Sequence, residues 1–380
     1  MKRMSCIGDL AKRAHGRIPA FAWGFLDGGS GEEGGLTRNR ERLTRIQIEP
    51  RYCTGVSPDP STTLLGRTYA QPFGMAPVGM GNLIWPGADL ALARQAHAAN
   101  IPVTVSTVAS TRLEDMAAAA AGNTWFQLYY ARRPEINRDL LRRAWEAGIR
   151  VLSVTVDVPM TGDRRRDVRN RFTLPFRPGP GFVLDVARHP AWMLSTLAAG
   201  SPGFPNLAPY GGDVKDQTLA AFVSEQIKRE LDWDDIRGVR DLWQGSLLIK
   251  GILSVGDARK AVALGADGIW VSNHGGRQLE AAPAAIDAVA PIRAAIGPDK
   301  VVVMDSGIRS GEDILRARMM GADFVFTARP FYYGAAAGAE AGVARAVEIL
   351  SADVTRTLTQ IGCPSWQALT ADWRWTQSSE

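Results

Sequence analysis

The chain has 380 residues, 46% of them hydrophobic and 22% charged, with a formal net charge of +5. That is ordinary globular composition with enough chain for a large core. Three widely spaced cysteines (Cys6, Cys53, Cys363) form neither a disulfide framework nor a metal-binding CxxC pattern, so a reducing compartment is expected.

The N-terminus, "MKRMSCIGDLAKRAHGR", is basic but lacks the apolar centre of a signal peptide. No stretch is apolar over the ~18 residues that a membrane span requires. The first 70 residues read as an N-terminal extension with its own helix, roughly Pro19 to Asp27. Within it "GSGEEG", Gly29 to Gly34, has the spacing of a dinucleotide loop. It follows a helical stretch rather than a strand, so it reads as a helix end and turn.

From residue 73 onward, short β-rich runs recur: "FGMAPV" (73–78), "PVTVST" (102–107), "WFQLY" (125–129), "VLSVTVD" (151–157), "LLIKG" (247–251), "GIWVSN" (268–273), "VVVMDS" (301–306) and "FVFTAR" (324–329). Near-continuous apolar strands of this kind are buried on both faces, as in a parallel sheet. Segments such as "ADLALARQAHAAN", "RLEDMAAAAA", "PEINRDLLRRAWEAG", "VGDARKAVALG" and "GEDILRARMMG" lie between them and show helical periodicity. Eight such units predict an α/β fold, a (β/α)8 TIM barrel forming one domain over 1–380. The rhythm breaks once, in a glycine- and proline-rich insertion or lid over 158–246, whose "WDDIRGVRDLW" reads as the fourth barrel helix.

Barrel enzymes carry their chemistry at the C-terminal ends of the strands. Here those ends bear Ser106, Gln127, Tyr129, Thr155, Asp157, Lys250, Ser272, His274, Asp305 and Arg329. Of the four histidines, His15 and His97 lie in helical patterns and His189 in the insertion. His274 alone follows a barrel strand, in "SNHGGRQL", beside Gly275 and Gly276, which tolerate positive φ, and near Arg277. It reads as catalytic rather than structural. "DSGIR" and "TARP" place Arg309 and Arg329 after the last two strands, a frequent phosphate position in barrels, with helix-end salt bridges as the plainer reading. The run "GDRRRDVRNRF" reads mainly as a solvated face. It lacks interleaved aromatics, so no nucleic-acid partner is expected. No ligand set has metal spacing, so no metal is expected.

"SNHGGRQL", together with "FLDGGSGEEGGLTRNR", "WPGADLALARQA", "WFQLY", "TVDVP", "RDVRNRF", "LLIKGIL" and "DSGIRSGEDI" in that order, resembles the FMN-dependent 2-hydroxy-acid oxidising family. Glycolate oxidase and the flavin-type lactate and mandelate dehydrogenases belong to that family. "VLDVARHPAWML", "RDLWQGSLLIKG" and "TRTLTQIGCP" are most similar to its mandelate and L-lactate dehydrogenases.

The resemblance implies bound FMN and oxidation of an (S)-2-hydroxy acid, mandelate-like or L-lactate, to the 2-keto acid. It makes His274 the base, Asp157 the acid that stabilises the protonated histidine, and Tyr129 a hydroxyl reaching the substrate. Arg277 and Arg164 would hold the carboxylate. For the cofactor it implies Lys250 near the N1/O2 edge and Gln127, Thr155 and Ser106 at the polar edge, with Ser272 also in the cofactor site. Pro77, Val78 and Gly79 would lie beside the ring and Asp305 on the ribityl chain. Arg309 and Arg329 would bind the phosphate, helped by the turn at Gly307, with Ala328 also in the cofactor site.

Two departures favour a larger or more apolar substrate. Phe25 stands where the family usually has a tyrosine, and Val108 where some short-chain relatives have tryptophan. The electron acceptor is expected to be a quinone or oxygen, between which the sequence does not choose. By resemblance a homotetramer is expected, cytoplasmic or peripheral on the inner face of the membrane, with contact through 176–205. A different FMN or phosphate barrel, such as an inosine-monophosphate-dehydrogenase-like or diphosphate-isomerase-like protein, is the alternative. The former needs a nucleophilic cysteine at a strand end, and none stands there. A non-enzymatic flavin-binding scaffold is disfavoured by the presence of base, acid and arginines together.

Overall fold

The computed structural model describes residues 1–172, 179–211 and 216–376. Eight parallel strands close into a barrel: β1 (Phe73–Met75), β2 (Val103–Ser106), β3 (Thr124–Leu128), β4 (Val151–Thr155), β5 (Ser246–Ile252), β6 (Gly268–Val271), β7 (Val301–Met304) and β8 (Phe324–Thr327). Each pairs with its neighbour in sequence, and β8 returns to β1 through Val325 opposite Phe73. The eight apolar runs are thus the eight strands, with Ser106, Gln127, Thr155 and Lys250 inside the strands near their C-terminal ends and Tyr129, Asp157, Ser272, Asp305 and Arg329 just beyond them.

Side chains on a strand alternate in direction, so every second residue points into the barrel. Trp125, Leu248, Trp270 and Val303 form an inner layer with Phe324 and Phe326. A hairpin, Thr62–Leu64 and Arg67–Tyr69, closes this end with Leu64 and Tyr69. The Trp125 indole N–H donates to the Tyr69 hydroxyl at 3.1 Å. Two residues further along the same strands stand Gln127, Lys250, Ser272 and Asp305. The aromatic floor therefore forces the polar set to the opposite mouth.

Three helices precede the barrel: α1 (Ile7–His15), α2 (Ala20–Asp27) and α3 (Gly34–Thr44). The apolar face of α1, with Ile7, Leu10 and Ala14 buried, packs on the long C-terminal helix Arg329–Gln360. That helix breaks at Gly338 and Ala339, and Arg13 and Arg17 donate to the freed carbonyls of Ala337 and Ala336.

The barrel helices continue with α4 (Ala88–Ala98), α5 (Leu113–Ala120) and α6 (Pro134–Glu146). The insertion contains α7 (Pro180–Ala187), α8 (Pro190–Ala199) and α9 (Asp216–Gln226) before α10 (Trp233–Leu242). It is more regular than its composition suggests. Pro180 and Pro190 each open a helix, where the missing N–H costs nothing, so residues that read as loop markers are helix starts. Within the segment 176–205, residues 176–178 lie outside the described residues. No helix among the described residues is long and apolar enough to cross a membrane.

Candidate active site

After β6 the chain turns sharply. His274, Gly275 and Gly276 have φ of 58°, 66° and 73°, all left-handed. The Asn273 side chain accepts from the Gly276 N–H at 3.1 Å, and the His274 N–H donates to the Ser272 hydroxyl at 3.0 Å. A Cβ at Gly276 would stand 2.9 Å from the Leu36 nitrogen, so only glycine lets α3 approach this turn. The turn holds the His274 ring at the barrel mouth.

His274 Nδ1 lies 3.0 Å from Asp157 Oδ1. Asp157 fits because β5 bulges after Lys250: Gly251 has φ of 99°, and a Cβ there would fall 2.6 Å from the Asp157 Cβ. An Nδ1–H donated to the carboxylate leaves the Nε2 lone pair free. The Tyr129 hydroxyl lies 3.4 Å from that Nε2. Burial and the Asp157 charge push the Tyr129 phenol above its ordinary value, so it remains a donor.

Arg164, Arg277, Tyr129 and His274 face one cavity of about 870 Å³. Phe25, Val108, Phe172 and Phe204 supply apolar wall. The Arg277 guanidinium lies 5.4 Å from the centre of the Phe25 ring and donates to the Gly28 carbonyl at 2.7 Å. Burial, then the Arg164 and Arg329 charges, hold Arg277 well below its ordinary value. A guanidinium does not deprotonate in a protein, so the shift reflects first the cost of burying this charge and then its repulsion by Arg164 and Arg329, both of which a bound anion relieves. Asp167, raised by burial, also lines this space. Arg164 Nε is buried without a hydrogen-bond partner.

The remaining expected residues form a floor and a far end. Ser106, Gln127, Thr155 and Ser272 are buried at strand ends. Ser106 donates to Gln127 Oε1 at 2.7 Å, which leaves Gln127 Nε2 unpartnered, and Thr155 Oγ1 is also buried without a partner. Lys250 donates to Ser272 at 2.8 Å and forms a buried ion pair with Asp305. Burial raises the Asp305 carboxyl, but Lys250 and hydrogen bonds reverse this and hold it below the usual carboxylate value. Trp270 Nε1 donates to Asp305 Oδ2 at 3.0 Å and Ser306 to Oδ1 at 2.8 Å, so this carboxylate already accepts at both oxygens.

Pro77, Val78, Gly79 and Ala328 line the same cavity. Gly307, Arg309 and Arg329 are shared with an adjoining cavity of about 290 Å³. Arg329 donates to the carbonyls of Leu26 (3.1 Å), Gly28 (2.9 Å) and Gly275 (3.0 Å). Burial, then Arg309, pulls Arg329 down to about 10. A polar edge with unpartnered amide and hydroxyl groups, a fixed ammonium, and two arginines at the far end fits a flavin mononucleotide. Among the described residues no three His, Cys, Asp or Glu side chains cluster as metal ligands.

Several groups here had no sequence signal. The Gly28 carbonyl serves both Arg277 and Arg329, and a backbone group leaves no mark in a motif. Arg166, from the run read as a solvated face, instead bridges Asp27 and Glu33 beside that carbonyl. Asp27 in turn accepts from the Tyr333 hydroxyl at 2.6 Å.

The family model for FMN-dependent dehydrogenases matches residues 14–376. The (S)-mandelate dehydrogenase of Pseudomonas putida is 38% identical over 97% of this chain and 93% of its own length. An L-lactate dehydrogenase of Allorhizobium ampelinum is 36% identical over 96% of this chain and 97% of its own. A crystal structure of the monotopic membrane protein (S)-mandelate dehydrogenase superposes with a TM-score of 0.95 at 37% identity, covering 99% of this chain and 100% of that one. The chain belongs to the FMN-dependent dehydrogenase family, in its 2-hydroxy-acid branch with the mandelate and L-lactate dehydrogenases.

Proposed function

We propose that the protein oxidises an (S)-2-hydroxy acid with an apolar, aryl-sized side chain, mandelate-like, to the 2-keto acid, and passes the electrons to a quinone. The observation that carries this is His274 between Asp157 and Tyr129, in a cavity with two arginines and an apolar wall. Arg277 and Arg164 hold the substrate carboxylate, and charge-assisted pairs of this kind are the strong ones. Nε2 of His274 takes a proton from the CH–OH group, and Asp157 stabilises the imidazolium that results. Tyr129 donates to the oxygen that becomes the ketone. Lys250, Gln127 and Thr155 would hold the flavin's polar edge, and Arg309 and Arg329 its phosphate. FMN supplies the acceptor for the electron pair together with the second hydrogen of the CH–OH group, which accounts for both protons and both electrons of the oxidation.

Anaerobic bleaching of the flavin by a panel of 2-hydroxy acids tests this reading. Mandelate should reduce it faster than lactate or glycolate. His274→Gln should keep FMN and lose reduction by ~10²–10⁴-fold, the usual share of a general base. A variant that reduces at the wild-type rate overturns the assignment. Reoxidation by a quinone analogue should outpace air.

The membrane reading rests on α7 and α8. One side of this pair is tied down: Trp192 donates to the Leu83 and Ile84 carbonyls at 3.2 Å, and Asp185 accepts from the Ala20 N–H at 2.8 Å. Val183, Leu184, Leu194 and Leu197 are exposed, in a segment that also carries Arg188. Apolar side chains flanked by a basic residue suit an interfacial helix pair on anionic lipid. Flotation with anionic vesicles should carry the protein up the gradient. Leu194→Ser with Leu197→Ser should abolish this without changing flavin reduction. Wild type that stays at the bottom leaves a lid over the site as the reading.

A further inference from the structure

The turn bearing His274 is gripped from outside the barrel. Asn39, on α3, faces Asn273, the residue before His274. The two amides form a reciprocal pair: Asn39 Nδ2 donates to Asn273 Oδ1 at 2.9 Å, and Asn273 Nδ2 donates to Asn39 Oδ1 at 2.8 Å. Both side chains are buried, at 2% and 5% exposure, so water does not substitute for either bond.

The pair is connected on both sides. Asn273 Oδ1 also accepts from Gly276 and so closes the left-handed turn, while Asn273 Nδ2 donates to the Pro283 carbonyl at 3.0 Å. Asn39 Oδ1 also accepts from the Ala285 N–H at 3.3 Å. The rest of this region fastens to the same loop. Ser30 N–H donates to the Gly276 carbonyl at 2.9 Å, and Arg38 donates to the carbonyls of Glu280 and Ala282 at 2.8 and 2.7 Å.

A non-glycine residue at positive φ is held there by its surroundings rather than by its own preference. His274 has φ of 58°, and the groups that impose it are the Asn273 amide and the Ser272 and Ser306 hydroxyls, which accept from the N–H groups of His274 and Gly275. Of these anchors only the Asn273 amide depends on the N-terminal extension.

We infer that Asn39 is a positioning residue for the reaction: it fixes the Asn273 amide and thereby aims the His274 ring at Asp157 and the substrate. This rests on the reading of His274 as the base. Asn39 is not among the residues that line the cavity His274 faces, and among the described residues its amide bonds all go to Asn273 and Ala285.

The test uses the FMN-loaded enzyme at saturating cofactor, with wild type, Asn39→Leu, Asn39→Asp and His274→Gln followed by anaerobic flavin reduction across pH. Asn39→Leu keeps the bulk and removes both bonds. Its reduction rate at saturating substrate should fall roughly 10- to 100-fold, the scale set by a displacement of about 1 Å in a reacting group. KM should change little, because Arg277 and Arg164 hold the carboxylate. Asn39→Asp carries a pH signature. The ionised carboxylate faces Asn273 Oδ1 with no donor, whereas the protonated acid restores one. Burial raises the pKa of such a carboxyl, so the ratio of this variant's rate to wild type should climb several-fold as pH falls, with no such climb for Asn39→Leu.

The inference is overturned if Asn39→Leu reduces at the wild-type rate, or if Asn39→Asp and Asn39→Leu run parallel in pH. If Asn39→Leu does not fold, the pH ratio of Asn39→Asp decides alone. His274→Gln separates the two levels. A normal rate there removes the base itself, while an inactive His274→Gln beside a normal Asn39→Leu removes only the positioning role.

Discussion

Phe25 keeps an aromatic ring under Arg277 and offers no hydroxyl to a bound acid. One neutral hydrogen bond contributes ~1 kcal/mol, so its absence weakens carboxylate binding without abolishing it. On the proposed reading, an aryl side chain would recover part of the difference through burial against Phe25 and Phe172, at ~25 cal/mol per Å². Phe25→Tyr should therefore lower KM for lactate or glycolate more than for mandelate, measured by steady-state kinetics on the three acids. Equal shifts would show that the ring does not meet the substrate. At this scale the sequence was most informative where a side chain both ends a strand and stands in a motif, as with His274, Asp157 and Lys250. It was silent where the group is polar but looks like surface. Asn39 in "LTRNRERL" is one amide among arginines and glutamates on a helix of mostly polar residues, and nothing local distinguishes its buried face.

Among the elements, the eight strands were legible because burial on both faces leaves them almost purely apolar. The insertion was not, because proline at a helix start and proline in a loop are the same letter. Element packing also makes a prediction about pH. Asp89, in the first turn of α4, accepts from the Tyr332 hydroxyl and the Ser110 N–H, both at 3.1 Å. Burial outweighs these bonds and pushes its carboxyl up to about 6 from an ordinary 3.8. Between those values the native chain retains a proton that the unfolded chain has released. The contribution of this group therefore favours folding most below pH 3.8 and declines as pH rises through about 6. In Asp89→Asn the group no longer titrates, and the Tyr332 hydroxyl can turn to accept from the amide. Urea unfolding from pH 4 to 7 should show the variant gaining on wild type as pH rises. A constant difference would mean that Asp89 titrates normally.

Over the whole molecule, a formal charge of +5 gave no hint that Arg164, Arg277, Arg309 and Arg329 converge on two adjoining cavities. Their mutual repulsion should make the cofactor-free protein less stable. Removing FMN should lower the melting temperature, and inorganic phosphate should restore part of it by binding only the native form. Chloride at equal ionic strength should restore less. An equal effect of the two salts would place the stabilisation outside the phosphate end. The Gly28 carbonyl has a further consequence, in time rather than in space. Its two guanidinium donors lie 249 and 301 residues further along the chain. During synthesis, which proceeds from the N-terminus, the extension therefore emerges first and waits for nearly the whole barrel before its carbonyls can be used. Contacts so remote in sequence close late. The two arginines proposed for the phosphate are complete only after the last strand and the start of the final helix have been made, so a nascent chain truncated before Arg329 carries most of the barrel but should not retain FMN.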